Sequence, residues 1–223
     1  MIKILSAQQV READQYTIKN EPIDSIDLME RASEAFVSKF TDIFTYKKPV
    51  KIFCGTGNNG GDGLAIGRLL KDSGWNVSLY IIGDPQKGTE DFRVNLDRSA
   101  LYAVLKSPDD FPEVSVDHII IDALFGSGLS RPIDGLHAKL IRYLNDQQCS
   151  LVSVDIASGL FSDEPTPTGS VICKPQFTLS FQVPKLAFFL PDCYPFVGDW
   201  FVLDIGLDLS FIKQQESSHH FSE

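Results

Sequence analysis

From Pro49 onward the chain alternates short apolar runs with longer stretches of helical periodicity, and this alternation constrains the fold more than any other feature. The runs fall at 50–54, 76–82, 118–122, 150–155, 177–181 and 200–204, and helical patterns cover 62–73, 89–105 and 135–145. Strands joined through helices run parallel, because only a crossover of that length returns the chain to the same end of the sheet. Ile119, Ile120 and Ile121 are consecutive, with no polar residue to turn toward water, so that strand is buried on both faces. The expectation is a Rossmann-like, doubly wound α/β fold, with a mainly parallel sheet and helices on both faces.

Ahead of this core lies an amino-terminal helical extension. Ser6 and Gln9 have capping-box spacing and predict a helix through about Tyr16, each side chain satisfying a free backbone N–H. A second helical pattern over 26–40 places Leu28, Met29, Ala32, Ala35 and Phe36 on one face, a stripe read as core or interface packing, with cofactor contact by Leu28 and Met29 as the lesser alternative. The chain has 223 residues, which suits one domain; its bounds are set at 1–213, and the polar, aperiodic stretch 214–223 is read as a loose tail. A hydrophobic fraction of 43% and a charged fraction of 22% lie near globular averages and argue against disorder. No apolar run approaches the roughly 20 residues that cross a bilayer, and no basic leader precedes one, so the expectation is a cytoplasmic protein without a membrane partner. A net charge of -10 repels a polyphosphate backbone and argues against nucleic acid, while a local pocket could still hold a small anion. Cys54, Cys149, Cys173 and Cys193 form no Cys-x-x-Cys pair and are read as reduced thiols rather than zinc ligands. None of the four histidines is assigned to catalysis.

Chemistry concentrates in three connections. The first, Gly55-Thr56-Gly57-Asn58-Asn59-Gly60-Gly61-Asp62-Gly63, carries Gly-x-Gly-x-x-Gly spacing between a strand and a helix. Glycines there let a ligand approach the backbone, and the helix N-terminus favours a phosphate. Asp84 stands where a dinucleotide-binding enzyme keeps its ribose partner, so an NAD-dependent oxidoreductase is one reading and a non-catalytic nucleotide-binding protein is another. Against the oxidoreductase, Asp62 is expected in the first helical turn, where its charge competes with a pyrophosphate, and Asn58 and Asn59 add amides that such binding does not need. The second connection, 122–132, puts Asp122 at a strand's carboxyl end and Arg131 on a glycine-containing loop. The third, Val154-Asp155-Ile156-Ala157-Ser158-Gly159, repeats an acid at a strand tip. Parallel topology brings such tips to one edge, where open α/β sheets bind ligands.

These segments resemble the NAD(P)H-hydrate epimerase family, of the YjeF amino-terminal type that also includes the apolipoprotein A-I binding protein. The resemblance rests on Asn58-Asn59-Gly60-Gly61-Asp62-Gly63, on Asp122-Ala123-Leu124-Phe125-Gly126 with Gly128-Leu129-Ser130-Arg131-Pro132, and on Val154 to Gly159. Leu28-Met29-Glu30-Arg31-Ala32 and Asp204-Ile205-Gly206 extend it over nearly the whole chain. It implies epimerisation of the R and S forms of hydrated NADH and NADPH. Substrate-binding segments then fall on Asn58, Asn59, Gly60, Gly61 and Asp62, on Gly126, Ser127, Gly128, Leu129, Ser130, Arg131 and Pro132, and on Asp155. It also implies one potassium ion per subunit on Asn59, Asp122 and Ser158; an amide, a carboxylate and a hydroxyl suit a hard monovalent cation. Ala157 departs from the proline common in the family, and Lys185 resembles a family position whose role is left open. A homodimer and an ADP- or ATP-dependent dehydratase partner, fused or separate, follow from the same resemblance. The substrate's hydroxyl sits on the ring carbon beside nitrogen, so its loss and return as water needs an acid/base group, and Asp155 is the candidate.

Overall fold

The structure, a computed structural model, describes residues 2–221. Its elements are β1 (Ile2–Lys3), α1 (Ala7–Asn20), α2 (Ser25–Ile43), β2 (Val50–Cys54), α3 (Asn58–Asp72), β3 (Val77–Ile82), α4 (Glu90–Asp97) and β4 (Ala103–Leu105). There follow β5 (Ile119–Ala123), α5 (Gly135–Asn145), β6 (Ser150–Val154), β7 (Phe177–Phe181), β8 (Asp199–Leu203), α6 (Leu209–Gln214) and β9 (His220–Phe221).

Seven strands form one sheet in the order β4-β3-β2-β5-β6-β7-β8, and every pairing in it is parallel. The chain runs outward from β2 through β3 to the edge at β4, then returns across the sheet to begin again at β5. The order therefore reverses between β2 and β5, and their carboxyl ends open a crevice there. Consecutive residues of β5 serve opposite layers: Ile119 and Ile121 join the apolar cluster under α2 and α3, and Ile120 joins the one under α5. The amphipathic stripe of α2 is buried as its spacing requires, with Leu28, Met29, Ala32, Phe36 and Phe40 inside. The Ser6–Gln9 capping box is present: the Gln9 N–H donates to Ser6 Oγ at 3.2 Å and the Ser6 N–H donates to Gln9 Oε1 at 3.0 Å.

Four local expectations change. Helix α3 begins at Asn58, so Asp62 lies in its second turn, beyond the free N–H groups. The single helix expected over 89–105 stops at Asp97, and Ala103–Leu105 forms a short edge strand paired with Tyr80–Ile82. Helix α1 continues past Tyr16 to Asn20. The tail 214–223 is not loose throughout: His220–Phe221 pairs antiparallel with Ile2–Lys3, because otherwise unused backbone groups at both ends find each other. Phe221 packs beside Phe189 and Trp200, with ring centroids at 5.3 and 5.6 Å. Among the described residues no helix is long and apolar enough to cross a membrane.

Candidate active site at the carboxyl edge of the sheet

The connections leaving β2, β5, β6 and β7 surround one cavity of about 640 Å³, within the range of small-molecule sites. Its floor depends on glycine. A Cβ on Gly55 would stand 2.1 Å from the Leu124 carbonyl oxygen, and one on Gly60 would stand 1.9 Å from that of Gly55. Only residues without side chains let the loop after β2, the loop after β5 and the start of α3 press together. Helix α3 has no side-chain cap at Gly57, so the N–H groups of its first turn remain for a ligand at the cavity's edge.

The sequence-derived candidates divide into three groups. Asn58, Asn59, Asp62, Gly126, Ser127, Gly128, Leu129, Ser130, Arg131 and Asp155 line the cavity. Gly60 and Gly61 stand behind its wall, where they let α3 meet Gly55 and Met29. Pro132 follows Arg131 on the exposed outer part of the loop.

Asp155 carries the strongest signature of a constrained group. It holds φ +65° at the tip of β6, and Gln182 holds φ +59° at the tip of neighbouring β7. Non-glycine residues reach that region at an energetic cost, which surrounding structure must over-determine. The carboxylate is nearly buried and its Oδ1 accepts from the Phe181 N–H at 3.0 Å and the Ser180 hydroxyl at 3.4 Å. Lys185 Nζ lies 2.8 Å from the same oxygen. Lys185 is 1% exposed, and its ammonium also donates to the carbonyls of Phe181 and Val183. All these donors converge on Oδ1, which leaves Oδ2 for a ligand. Lys185 thus joins the site as the cation that anchors Asp155; its partner is distant in sequence, so spacing alone did not reveal the pair.

Asp122 and Ser158 lie together behind the cavity lining, and Asn59 lines it beside Gly126. Asp122 is fully buried and accepts from the Ser158 hydroxyl at 2.6 Å, the Ser158 N–H at 2.9 Å, the Ser153 hydroxyl at 2.8 Å and the Leu124 N–H at 3.3 Å. Burial pushes this carboxyl upward, and the bonds from Ser158, Ser153 and Leu124 oppose the shift. The Ser158 hydroxyl also accepts from the Phe125 N–H at 2.9 Å. Asn59 packs against the adjoining Gly126, and its buried Nδ2 lacks a hydrogen-bond partner. A buried amide with an unmet position suits a ligand-binding role, and turning the amide by half a rotation would present oxygen there. Ala157 is fully buried in an apolar cluster beside these groups.

The amino-terminal helices supply a wall that sequence reasoning did not foresee. Val10, Arg11, Asp14 and Ile18 of α1, and Leu28 and Met29 of α2, all line the cavity. The two α2 residues, read as packing with cofactor contact as the lesser alternative, both pack in the interior and line the cavity. Burial raises Asp14 to about 6, helped by the nearby Asp155 and opposed by Lys185 and Arg11. Asp62 is held well above the usual carboxylate range, first by burial and then by Asp155, Asp14 and Asp91. The visible signal was a carboxyl in the helical stripe Val10–Asp14–Ile18, between two apolar residues. His137 also lines the cavity, against the Phe125 ring at 5.0 Å, and burial lowers its basicity. The four cysteines are free and at least half-buried.

Asp84, the ribose partner required by the oxidoreductase reading, is engaged elsewhere. It accepts from the Gln86 N–H at 3.1 Å, lies 3.8 Å from Lys87, and is not among the cavity-lining residues.

Comparison with known proteins agrees with this arrangement. Residues 25–187 match the family described as "YjeF-related protein N-terminus". A protein of Limosilactobacillus reuteri named NAD(P)H-hydrate epimerase is 32% identical over 198 residues, covering 88% of this chain and 92% of its own. Its counterpart of the same name in Lentilactobacillus buchneri is 34% identical over 210 residues, covering 93% and 96%. The crystal structure of the yeast protein YNL200c is similar with a TM-score of 0.67 and 26% identity over 82% of each chain. Sheet order, cavity and sequence similarity lead to the same assignment: the chain belongs to the YjeF-related amino-terminal family, that of the NAD(P)H-hydrate epimerases.

Proposed function

We propose that this chain interconverts the R and S forms of NADH hydrate and NADPH hydrate, returning damaged dinucleotides to a form that repair can use. One observation carries the reading: a carboxylate in a strained backbone position, anchored by a buried lysine, faces a cavity entered past an uncapped helix N-terminus and a loop bearing Arg131. The helix N-terminus, Asn58 and the 126–131 loop hold the diphosphate, and Arg131 supplies the cation. The modified nicotinamide then reaches inward toward Asp155. Its hydroxyl leaves as water while the ring nitrogen's lone pair forms a planar iminium, and water returns to the other face. Asp155, the carboxylate of an ion pair, accepts the proton of the incoming water.

Asn59, Asp122 and Ser158 would hold one potassium ion per subunit, an assignment supported by their oxygen donors and by the unpartnered Asn59 amide. A bound potassium ion supplies fixed positive charge beside Asp122. The family resemblance adds a cytoplasmic homodimer working with an ADP- or ATP-dependent dehydratase. Asp84's position outside the cavity favours the epimerase over the oxidoreductase.

The test follows separated hydrate epimers through chromatography, with potassium present or replaced by tetramethylammonium. Wild type should carry either epimer to the same mixture faster than buffer, without net change in redox state. Asp155→Asn should retain fold and dinucleotide binding and lose at least about 100-fold in turnover. Wild-type turnover in that variant would remove Asp155 from the mechanism.

A further inference from the structure

Epimerisation sends water out from one face of a planar ring and brings it back on the other, so one carboxylate leaves half of the proton traffic unassigned. Asp155 sits at the tip of β6, on the sheet side of the cavity. A second carboxyl enters from a different wall, on α1, outside the segment matched by the family. Val10, Asp14 and Ile18 are spaced by one helical turn each and all line the cavity, which places Asp14 in the middle of the face that α1 turns toward it. The ion pairs among the described residues do not include it.

We infer that Asp14 is the catalytic acid of the reaction, giving its proton to the departing hydroxyl from the α1 wall while Asp155 receives the proton of the returning water. The inference rests on the epimerase reading above. The balance is complete. The carbon–oxygen bond breaks with its electron pair going to oxygen, and the Asp14 proton converts that oxygen to water. The ring nitrogen's lone pair forms the carbon–nitrogen double bond. Water then adds to the opposite face, the nitrogen recovers its lone pair, and the water's proton goes to Asp155. Proton exchange with solvent after release restores both groups, and the reverse reaction uses them in exchanged roles.

The surroundings suit this division. Asp14 faces Arg11 on its own helix, Asp62 of α3, Asp155 and Lys185, with Asp91 of α4 and His137 of α5 elsewhere in the cavity lining. Burial and the neighbouring Asp155 keep Asp14 protonated to about 6, near a working pH, whereas burial with Asp155, Asp14 and Asp91 nearby holds Asp62 well above the usual carboxylate range. Carboxyls whose environments set them apart in this way can divide acid and base roles.

The experiment measures kcat and KM for the hydrate epimers across roughly pH 5–8 for wild type, Asp14→Asn and Asp14→Glu, after subtracting the uncatalysed rate, with melting temperature and dinucleotide affinity as controls. Asp14→Asn should lose about 100-fold or more in kcat with KM changed less than about threefold, and the decline of wild-type kcat above about pH 6 should disappear. Asp14→Glu should recover part of kcat and shift that limb. An Asp14→Asn enzyme that keeps its kcat, or changes only KM, overturns the inference while leaving the epimerase reading intact. A wild type inactive on both hydrates overturns the two together.

Discussion

The Lys185–Asp155 pair is the most exposed point of the account to a stability measurement. Lys185→Met removes the ammonium, keeps much of the volume, and leaves the Asp155 carboxylate nearly buried without its cation. The carbonyls of Phe181 and Val183 lose their donor in the same step. Breaking a buried pair from one side costs about 3–5 kcal/mol. The Asp155 side chain retains 13% exposure toward the cavity, which lets water reach it, so the lower half of that range, about 3–4 kcal/mol, is expected. For a chain of this size each kcal/mol lowers the melting temperature by roughly 2–4 °C, a total of roughly 6–16 °C. Urea unfolding of Lys185→Met, Asp155→Asn and the double variant provides the assay. The double variant removes the orphaned charge and should recover about 1–2 kcal/mol relative to Lys185→Met alone. If Lys185→Met loses less than about 1 kcal/mol, or the double variant is no more stable than the single one, the buried pair does not hold the site together.

Other consequences are as direct. Asp14 binds its proton more tightly folded than unfolded, so its contribution to stability is greatest below the ordinary carboxylate value of 3.8 and declines until pH passes about 6. Asp14→Asn should therefore match wild type in stability near pH 3–4 and exceed it above about pH 6, as read from urea midpoints; a variant destabilised at pH 7 would contradict the cause assigned to the shift. Gly60→Ala forces a methyl into the Gly55 carbonyl and should cost at least about 2 kcal/mol, with loss of dinucleotide binding measured by calorimetry. Potassium should raise the wild-type melting temperature more than sodium does, and Asp122→Asn should abolish the difference; an equal response in the two proteins would move the cation elsewhere.

The sheet was legible because parallel strands covered on both faces must be continuously apolar, and Ile119-Ile120-Ile121 shows this without knowledge of any contact. The short edge strand Ala103–Leu105 was not, since three residues carry no period and the helical pattern ran into them. Strand-tip acids such as Asp122 and Asp155 announced themselves by interrupting apolar runs. The tail's pairing with Ile2–Lys3 is made by backbone groups, which side-chain composition does not report. Lys185 and Asp14 were harder still: the fold alone joins Lys185 to Asp155 across the tips of β6 and β7, and Asp14 reads as an ordinary helical acid until α1 is seen to close the cavity.

The proposed epimerisation requires that the hydroxyl departs as water and a different water returns at the same carbon. Mass spectrometry of a single hydrate epimer turned over in heavy-oxygen water reads this exchange. Wild type should incorporate the heavy isotope into the ring hydroxyl at the rate at which the other epimer forms, and Asp155→Asn should do neither. Epimer formation that retains the original oxygen, or nicotinamide oxidation in place of epimerisation, would contradict it.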